Sequence, residues 1–104
     1  MITELNIIAA AKEVARRAVN KHTSVTEAAR IGDDMVRCLS LWLSVRFGID
    51  PGAAGGMAGF TWPETDALLR RIESRIGNPC NARARAMLDR MVHDMIDELG
   101  RRVP

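Results

Sequence analysis

The sequence predicts an all-α protein, a small helical bundle of about four amphipathic helices with one glycine-rich loop. Apolar residues recur at intervals of three and four in four segments, as they do along one face of an α-helix. Capping residues and glycines bound these segments, and none offers a partner for a β-strand. We expect helices at approximately 3–20, 25–47, 62–76 and 79–99, and the loop at 48–60.

The size and composition indicate one globular domain. A chain of 104 residues is long enough for one hydrophobic core, so we expect residues 1–104 to form a single domain. Apolar residues make up 47% and charged residues 27%, which is typical of globular chains. Charges interrupt every apolar stretch, which excludes a membrane span and argues against a signal peptide. We therefore expect a cytoplasmic protein without a membrane partner.

The first two helices are separated by a short break. The first has one apolar face, and the break at Lys21, His22 and Thr23 ends it. Ser24 and Glu27 have the spacing of a capping box, in which each side chain accepts from a free backbone donor, so a second helix begins there. The apolar face of the first helix consists of Ile7, Ile8, Ala11, Val14, Ala15, Ala18 and Val19.

The second helix should end at Phe47, with Gly48 in the left-handed conformation just beyond it. Its apolar residues cover so much of the circumference that it needs burial on two sides. Residues 38–47 also alternate between apolar and other side chains, as a half-buried strand would. A lone strand leaves its backbone groups unpaired, so this alternative requires an intermolecular pairing in a dimer.

Within the segment 48–60, residues 49–60 contain four glycines in twelve positions, and their conformational freedom makes regular structure costly. We expect a mobile loop. The glycine spacing matches neither a P-loop nor a dinucleotide-binding fingerprint. The loop is either a plain connector or a segment that offers Met57, Phe60 and Trp62 to a partner.

The last two helices have clear boundaries. Thr61 and Glu64 form a second predicted capping box, Pro63 suits a first turn, and Gly77 should end this helix. Asn78 and Pro79 then open the last helix, which Gly100 should stop.

Arginine dominates the basic residues, and 13 of the 15 are Arg. Between residues 70 and 90 six arginines face only Glu73 and Asp89, so they could form an anion- or nucleic-acid-binding stripe. The six are Arg70, Arg71, Arg75, Arg83, Arg85 and Arg90. The segment 25–34 also resembles the first half of a helix-turn-helix, with Gly32 at the tight turn.

The charges of the last helix run against its dipole. Arg83 and Arg85 lie near its start, and Asp94, Asp97 and Glu98 lie near its end. Pairs at four-residue spacing, such as Arg85 with Asp89 and Arg90 with Asp94, offset this only by a few tenths of a kcal/mol each. Pairing across a self-complementary interface, or recognition of an acidic group, would explain these positions better.

Reactive and metal-binding residues are few. Cys38 and Cys80 are expected to be free thiols, and Cys80 lies near a helix start where a thiolate is favoured. The arginine that a phosphatase would need six positions later is absent, because Ala86 stands there. His22 and His93 have no other metal-ligating residues at a suitable spacing, so we expect neither a metal nor another cofactor.

These observations support three functional hypotheses. The first is a non-enzymatic protein-protein interaction module, an accessory, regulatory or inhibitory factor that forms a homodimer. The second is a nucleic-acid-binding regulator that uses the arginine stripe, and the third is a small thiol-dependent enzyme that uses Cys80. The interface residues predicted for the first hypothesis are Leu41, Trp42, Val45, Met57, Phe60 and Trp62.

Overall fold

A computed structural model describes residues 3–22, 25–77 and 82–102, with the side chains of residues 3–20, 35–74 and 82–102. These residues form five α-helices and no strand, which confirms the all-α prediction. The helices are α1 (Glu4–His22), α2 (Val25–Arg46), α3 (Pro51–Met57), α4 (Trp62–Gly77) and α5 (Ala82–Arg102). None of these helices is long and apolar enough to cross a membrane.

Two helix ends differ from the prediction. α1 continues through the expected break to His22, and α5 continues through Gly100 to Arg102. A glycine inside an exposed helix costs only about 1 kcal/mol relative to alanine, so Gly100 does not stop α5. The predicted cap at Ser24 and the predicted helix start at Pro79 lie outside the described residues.

α2 is one continuous helix, which excludes both the strand and the helix-turn-helix that the sequence left open. Its backbone is helical from Val25 to Arg46, so residues 38–46 are not a strand. The helix also runs through Gly32 without the tight turn that a helix-turn-helix would need. Gly48 follows with φ 103°, the left-handed conformation expected beyond the end of α2.

The main core lies between α1, α2 and α5. The largest side chains that are fully buried there include Leu43 on α2 and Met91 and Met95 on α5. Small residues of α1 let the other helices approach its backbone closely. The buried members of the main core are Ala10, Ala11, Val14, Ala15, Val19, Leu39, Trp42, Leu43, Leu88, Met91, Met95 and Leu99.

A second apolar cluster lies on the other side of α2, and it includes α3. Its buried members are Ile8, Leu41, Ile49 and Ala54, and half-buried Phe60 and Leu68 are among the residues packed against them. The prediction of a glycine-rich loop at 48–60 is therefore wrong for the central residues of that segment. Seven of its residues form α3, which packs against α2 and α4.

Local contacts explain why α3 forms despite its glycines. The carboxylate of Asp50 accepts from the backbone N–H of Ala53 at 3.1 Å, and Pro51 occupies the first turn. Gly55 is buried against Thr65 of α4, where a Cβ would collide with the threonine side chain. Glycine therefore permits a close approach of the two helices.

The start of α4 has the predicted capping box. Glu64 accepts from the backbone N–H of Thr61 at 3.0 Å and from its hydroxyl at 2.8 Å. The backbone N–H of Glu64 donates in turn to the Thr61 hydroxyl at 3.4 Å. This arrangement fixes where the chain enters α4 after the turn at Gly59, whose φ is 84°.

Candidate functional site

The three interface residues predicted on α2 contact other parts of this chain. Leu41 is 1% exposed in the second cluster, and Trp42 is 5% exposed in the main core. Val45 is half-buried against the second cluster. The wide apolar surface of α2 is thus buried on two sides within one chain. It does not need a partner molecule to cover it, which was the reason for predicting an interface there.

The other three predicted interface residues differ in exposure. Met57 at the end of α3 is 56% exposed, and Trp62 at the start of α4 is 58% exposed. Phe60, between them, is half-buried against the second cluster. The structure therefore leaves Met57 and Trp62 accessible at the α3–α4 connection.

Arg37 of α2 holds this connection in place. Its Nε donates to the carbonyl oxygen of Ala58 at 2.9 Å, and its guanidinium lies 4.6 Å from the ring centre of Phe60. A cation over an aromatic face is attracted by the ring, in addition to the hydrogen bond. The position of Met57 next to α2 is thereby fixed by a contact between residues distant in sequence.

A groove with a volume of about 390 Å³ lies beside Met57, between α1, α2 and α3. Its lining combines small or apolar side chains with charged ones. Lys12, Glu13 and Arg16 come from α1, and Arg37 comes from α2. The remaining lining residues are Ala9, Val36, Ser40, Met57 and Ala58. We name this cavity the α1–α3 groove.

The charges of the α1–α3 groove favour an anionic ligand. Glu13 lies 2.6 Å from Arg16 and 3.1 Å from Arg17, so its charge is already compensated within α1. The hydrogen bond from Arg16 holds the pKa of Glu13 below its ordinary value, so Glu13 stays ionised at neutral pH. Lys12 is exposed and has no ion pair within the part of the chain that the structure describes.

Ser40 contributes a hydroxyl to the groove. The residue is 6% exposed, and its hydroxyl makes no hydrogen bond to any described residue. Ser40 and Lys12 also line a narrow recess of about 10 Å³ beneath the groove, together with Ser44 of α2. Among the described residues only Oε2 of Glu98 is both fully buried and without a hydrogen bond, so the Ser40 hydroxyl is open to a ligand or water in the groove.

A second cleft, of about 430 Å³, lies between α2, α4 and α5. Its charged lining residues are of both signs, with Arg46 facing Glu73 and Asp89. His93 is exposed and lines this cleft together with Trp42 and Val92. This mixed lining favours neither an anion nor a cation, so the cleft is a weaker candidate than the α1–α3 groove.

The predicted arginine stripe is only partly described. Arg70 lies 3.0 Å from Asp66, and Arg90 lies 3.7 Å from Asp94, both at four-residue spacing on exposed surfaces. Three further arginines, Arg71, Arg83 and Arg85, are exposed and make no ion pair with described residues. The side chain of Arg75 lies outside the described residues.

Contacts within the chain largely explain why an acidic residue lies near the C-terminal end of α5. Glu98 is buried, and its carboxylate lies 3.2 Å from Arg17 of α1, 3.6 Å from Arg101 and 3.1 Å from Arg102. Because α5 extends past Gly100, its last turn carries two arginines that the helix dipole favours. The predicted pair of Arg90 with Asp94 is present, whereas Arg85 makes no ion pair with any described residue.

The predictions about Cys80 and His22 are not tested, because the described part of the structure does not include their side chains. Cys80 and the side chain of His22 lie outside the described residues, and Cys38 on α2 is half-buried and forms no disulfide with a described residue. Within residues whose side chains are described, no three His, Cys, Asp or Glu side chains are grouped to hold a metal ion.

The sequence reasoning missed most of the α1–α3 groove. Lys12, Arg16, Arg37 and Ser40 were not singled out, although one signal was present. Serines at positions 40 and 44 interrupt the apolar set of α2 at the spacing of one helical turn. Such a pair indicates a polar or small-residue face between otherwise buried faces.

No protein-family model matches the chain, and comparisons with curated proteins and with solved structures give no match.

Proposed function

We propose that this chain is a non-enzymatic protein-protein interaction module, an accessory, regulatory or inhibitory factor, and that it forms a homodimer. Its contact surface is the α1–α3 groove with exposed Met57 beside it. A flexible, polarisable methionine next to small apolar and charged residues is a common composition for a site that binds a protein segment.

The observation that carries this proposal is the accessibility of Met57 above the groove. The side chain is 56% exposed at the end of a capped helix, and Arg37 fixes the connection that follows it. An exposed apolar side chain leaves water when a partner covers it, which favours binding. Trp62 at the start of α4 is 58% exposed and is a second accessible apolar side chain.

The second candidate is a nucleic-acid-binding regulator, and the exposed arginines of α4 and α5 favour it. Arg71, Arg83 and Arg85 make no ion pair with described residues, so they are available to phosphates. Binding through such contacts would weaken steeply as salt concentration rises.

Site-specific photo-crosslinking in an extract of the producing cells separates these candidates. A photoreactive amino acid replaces Met57 in one variant and Arg90, whose side chain is 72% exposed on α5, in the control. Each is irradiated with and without prior nuclease treatment, and the crosslinked species are identified by mass spectrometry. We expect position 57 to crosslink repeatedly to one protein, with or without nuclease, and position 90 not to.

The other outcomes are equally decisive. A crosslink between two copies of the chain at position 57 supports the homodimer, which light scattering at rising concentration checks independently. Crosslinks that appear only from position 90 and vanish after nuclease support the nucleic-acid candidate. If position 57 gives no more crosslinking than position 90, the proposed contact surface is wrong.

A further inference from the structure

We infer that the α1–α3 groove recognises an acidic amphipathic segment of a protein partner, with a carboxylate placed near Lys12 and Ser40 and an apolar side chain against Met57. This inference rests on the proposed function and deepens it by naming the chemistry of the partner. It depends on the charge of Lys12, the hydroxyl of Ser40 and the apolar residues of the groove, which are separate observations.

The charge of the groove favours a negative partner. Among its charged residues, Glu13 is held by Arg16 and Arg17, and Arg37 makes contacts of its own, so Lys12 is the cation that no described residue compensates. A basic or neutral segment would leave the ammonium of Lys12 without a counter-charge and bring it out of water. A carboxylate from the partner would instead compensate that charge as both are desolvated.

The hydroxyl of Ser40 adds a directional donor. Ser40 is 6% exposed and lines both the groove and the recess beneath it, in each case together with Lys12. A carboxylate has several acceptor positions, so one group can accept from the Lys12 ammonium and the Ser40 hydroxyl together. A purely apolar segment would bury this hydroxyl without a partner, at a cost in free energy.

The apolar part of the lining requires that the partner is amphipathic. Ala9, Val36 and Ala58 contribute small or branched apolar surface, and Met57 stands over it. An acidic side chain alone would leave this surface in contact with water. Alternating acidic and apolar side chains, such as an amphipathic helix presents, would satisfy both parts of the groove.

Titration of the full chain into labelled peptides tests the inference directly. The probe is a short capped peptide of glutamate and leucine, and the matched peptides replace every glutamate by glutamine or by lysine. Fluorescence polarisation should show that the glutamate peptide binds most tightly. Lys12→Glu should weaken that binding about tenfold, and Ser40→Ala should weaken it by a smaller factor.

Arg71→Glu is the matched control, because it makes the same reversal of charge on exposed α4, away from the groove. Circular dichroism of each variant verifies that it is folded. The inference is overturned if Arg71→Glu weakens binding as much as Lys12→Glu, or if the three peptides bind alike. It is also overturned if an oligonucleotide binds more tightly than the peptide and Lys12→Glu abolishes that binding.

Failure of this inference can be told from failure of the proposed function. If position 57 still crosslinks to a protein but the glutamate peptide has no advantage, the groove region binds a partner of other chemistry. If Lys12→Glu converts a dimer into a monomer, a second copy of the chain occupies the groove. Either result overturns the inference and leaves the interaction module standing.

Discussion

The two apolar regions of this protein are held together in different ways. The main core between α1, α2 and α5 contains large side chains such as Leu43, Met91 and Met95, all fully buried. The second cluster has four buried residues, and α3 supplies only Ala54 to it, next to the buried Gly55. The main core therefore depends on buried apolar area, whereas α3 depends on capping and close backbone packing.

This difference matters for the candidate site, because the α1–α3 groove lies where the two regions meet. Its α1 and α2 walls belong to helices that the main core anchors, and Met57 belongs to α3. Large side chains contribute about 1.5–3 kcal/mol each when they are buried, so the walls are strongly held. α3 gains little from area, so it should be the part of the site that is most easily displaced.

Leu43→Ala should have the largest effect and should act on the whole fold. Leu43 is 0% exposed in the main core, and its truncation leaves a cavity that costs about 2–5 kcal/mol of unfolding free energy. Urea denaturation followed by circular dichroism measures this loss. The exposed residue Leu5, 72% exposed on α1, gives the matched control, since Leu5→Ala should change stability by less than about 0.5 kcal/mol. Equal losses in the two variants would contradict the assignment of the core.

Gly55→Ala should cost less and should act first on α3. A Cβ at position 55 would lie 2.9 Å from Cγ2 of Thr65 and still closer to its hydroxyl, so α3 must move away from α4. Overpacking of this kind costs about 1–3 kcal/mol. Hydrogen exchange should show faster exchange of α3 amides, with those of α1 and α5 little changed.

Gly56→Ala is the control for that variant, because a Cβ there meets no atom within 4 Å. It should stabilise α3 slightly, since alanine favours a helix over glycine by up to about 1 kcal/mol. If both alanine variants behave alike, the contact between Gly55 and Thr65 does not determine the position of α3.

The sequence predicted those features that depend on local spacing. Periodicity located α1, α2, α4 and α5, and the capping box of Thr61 with Glu64 and the left-handed Gly48 were both found as predicted. It did not predict α3, because the cost of glycine is local, whereas the packing of Gly55 on Thr65 joins two helices.

The same reason limits what the sequence says about the site. From the sequence, Leu41 and Trp42 were predicted to be exposed for a partner. In the structure they are buried by helices that are distant in the chain, which spacing alone does not reveal. The α1–α3 groove requires that Lys12 and Ser40 meet across two helices, and the register between α1 and α2 is set by packing rather than by spacing. The exposed Met57 was predicted as a site residue, although in a loop rather than in a helix.

Asp50→Ala should weaken α3 by a smaller amount than Gly55→Ala. It removes the hydrogen bond from Ala53 N–H to the Asp50 carboxylate, and loss of such a cap costs about 1 kcal/mol. Asp50→Asn retains a side-chain acceptor and should recover most of that loss. Proteolysis within α3 under native conditions, compared among the three proteins, measures its local opening. Unchanged cleavage in Asp50→Ala would show that packing on α4 alone holds α3.

The smallest effect should come from the pH dependence of the other cap. The backbone N–H and hydroxyl of Thr61 donate to Glu64, and together with nearby Arg37 they hold the pKa of that carboxyl below its ordinary value. The folded carboxylate binds a proton less readily than the unfolded one. Its contribution to stability is therefore present above the ordinary pKa and is lost as the pH falls through the lowered folded value.

The Glu64→Gln variant should consequently lose less thermal stability than the unchanged chain when the pH falls from neutral to below the pKa of Glu64 in the folded protein. The glutamine can still accept from Thr61, so the capping box is retained without its titration. Glu13, whose pKa the hydrogen bond from Arg16 also lowers, is present in both proteins, so their difference in Tm against pH isolates Glu64. Parallel Tm curves would mean that the Thr61 contacts hold the neutral and ionised side chains equally well. The start of α4 would then be fixed by hydrogen bonds whose strength does not depend on the charge of Glu64.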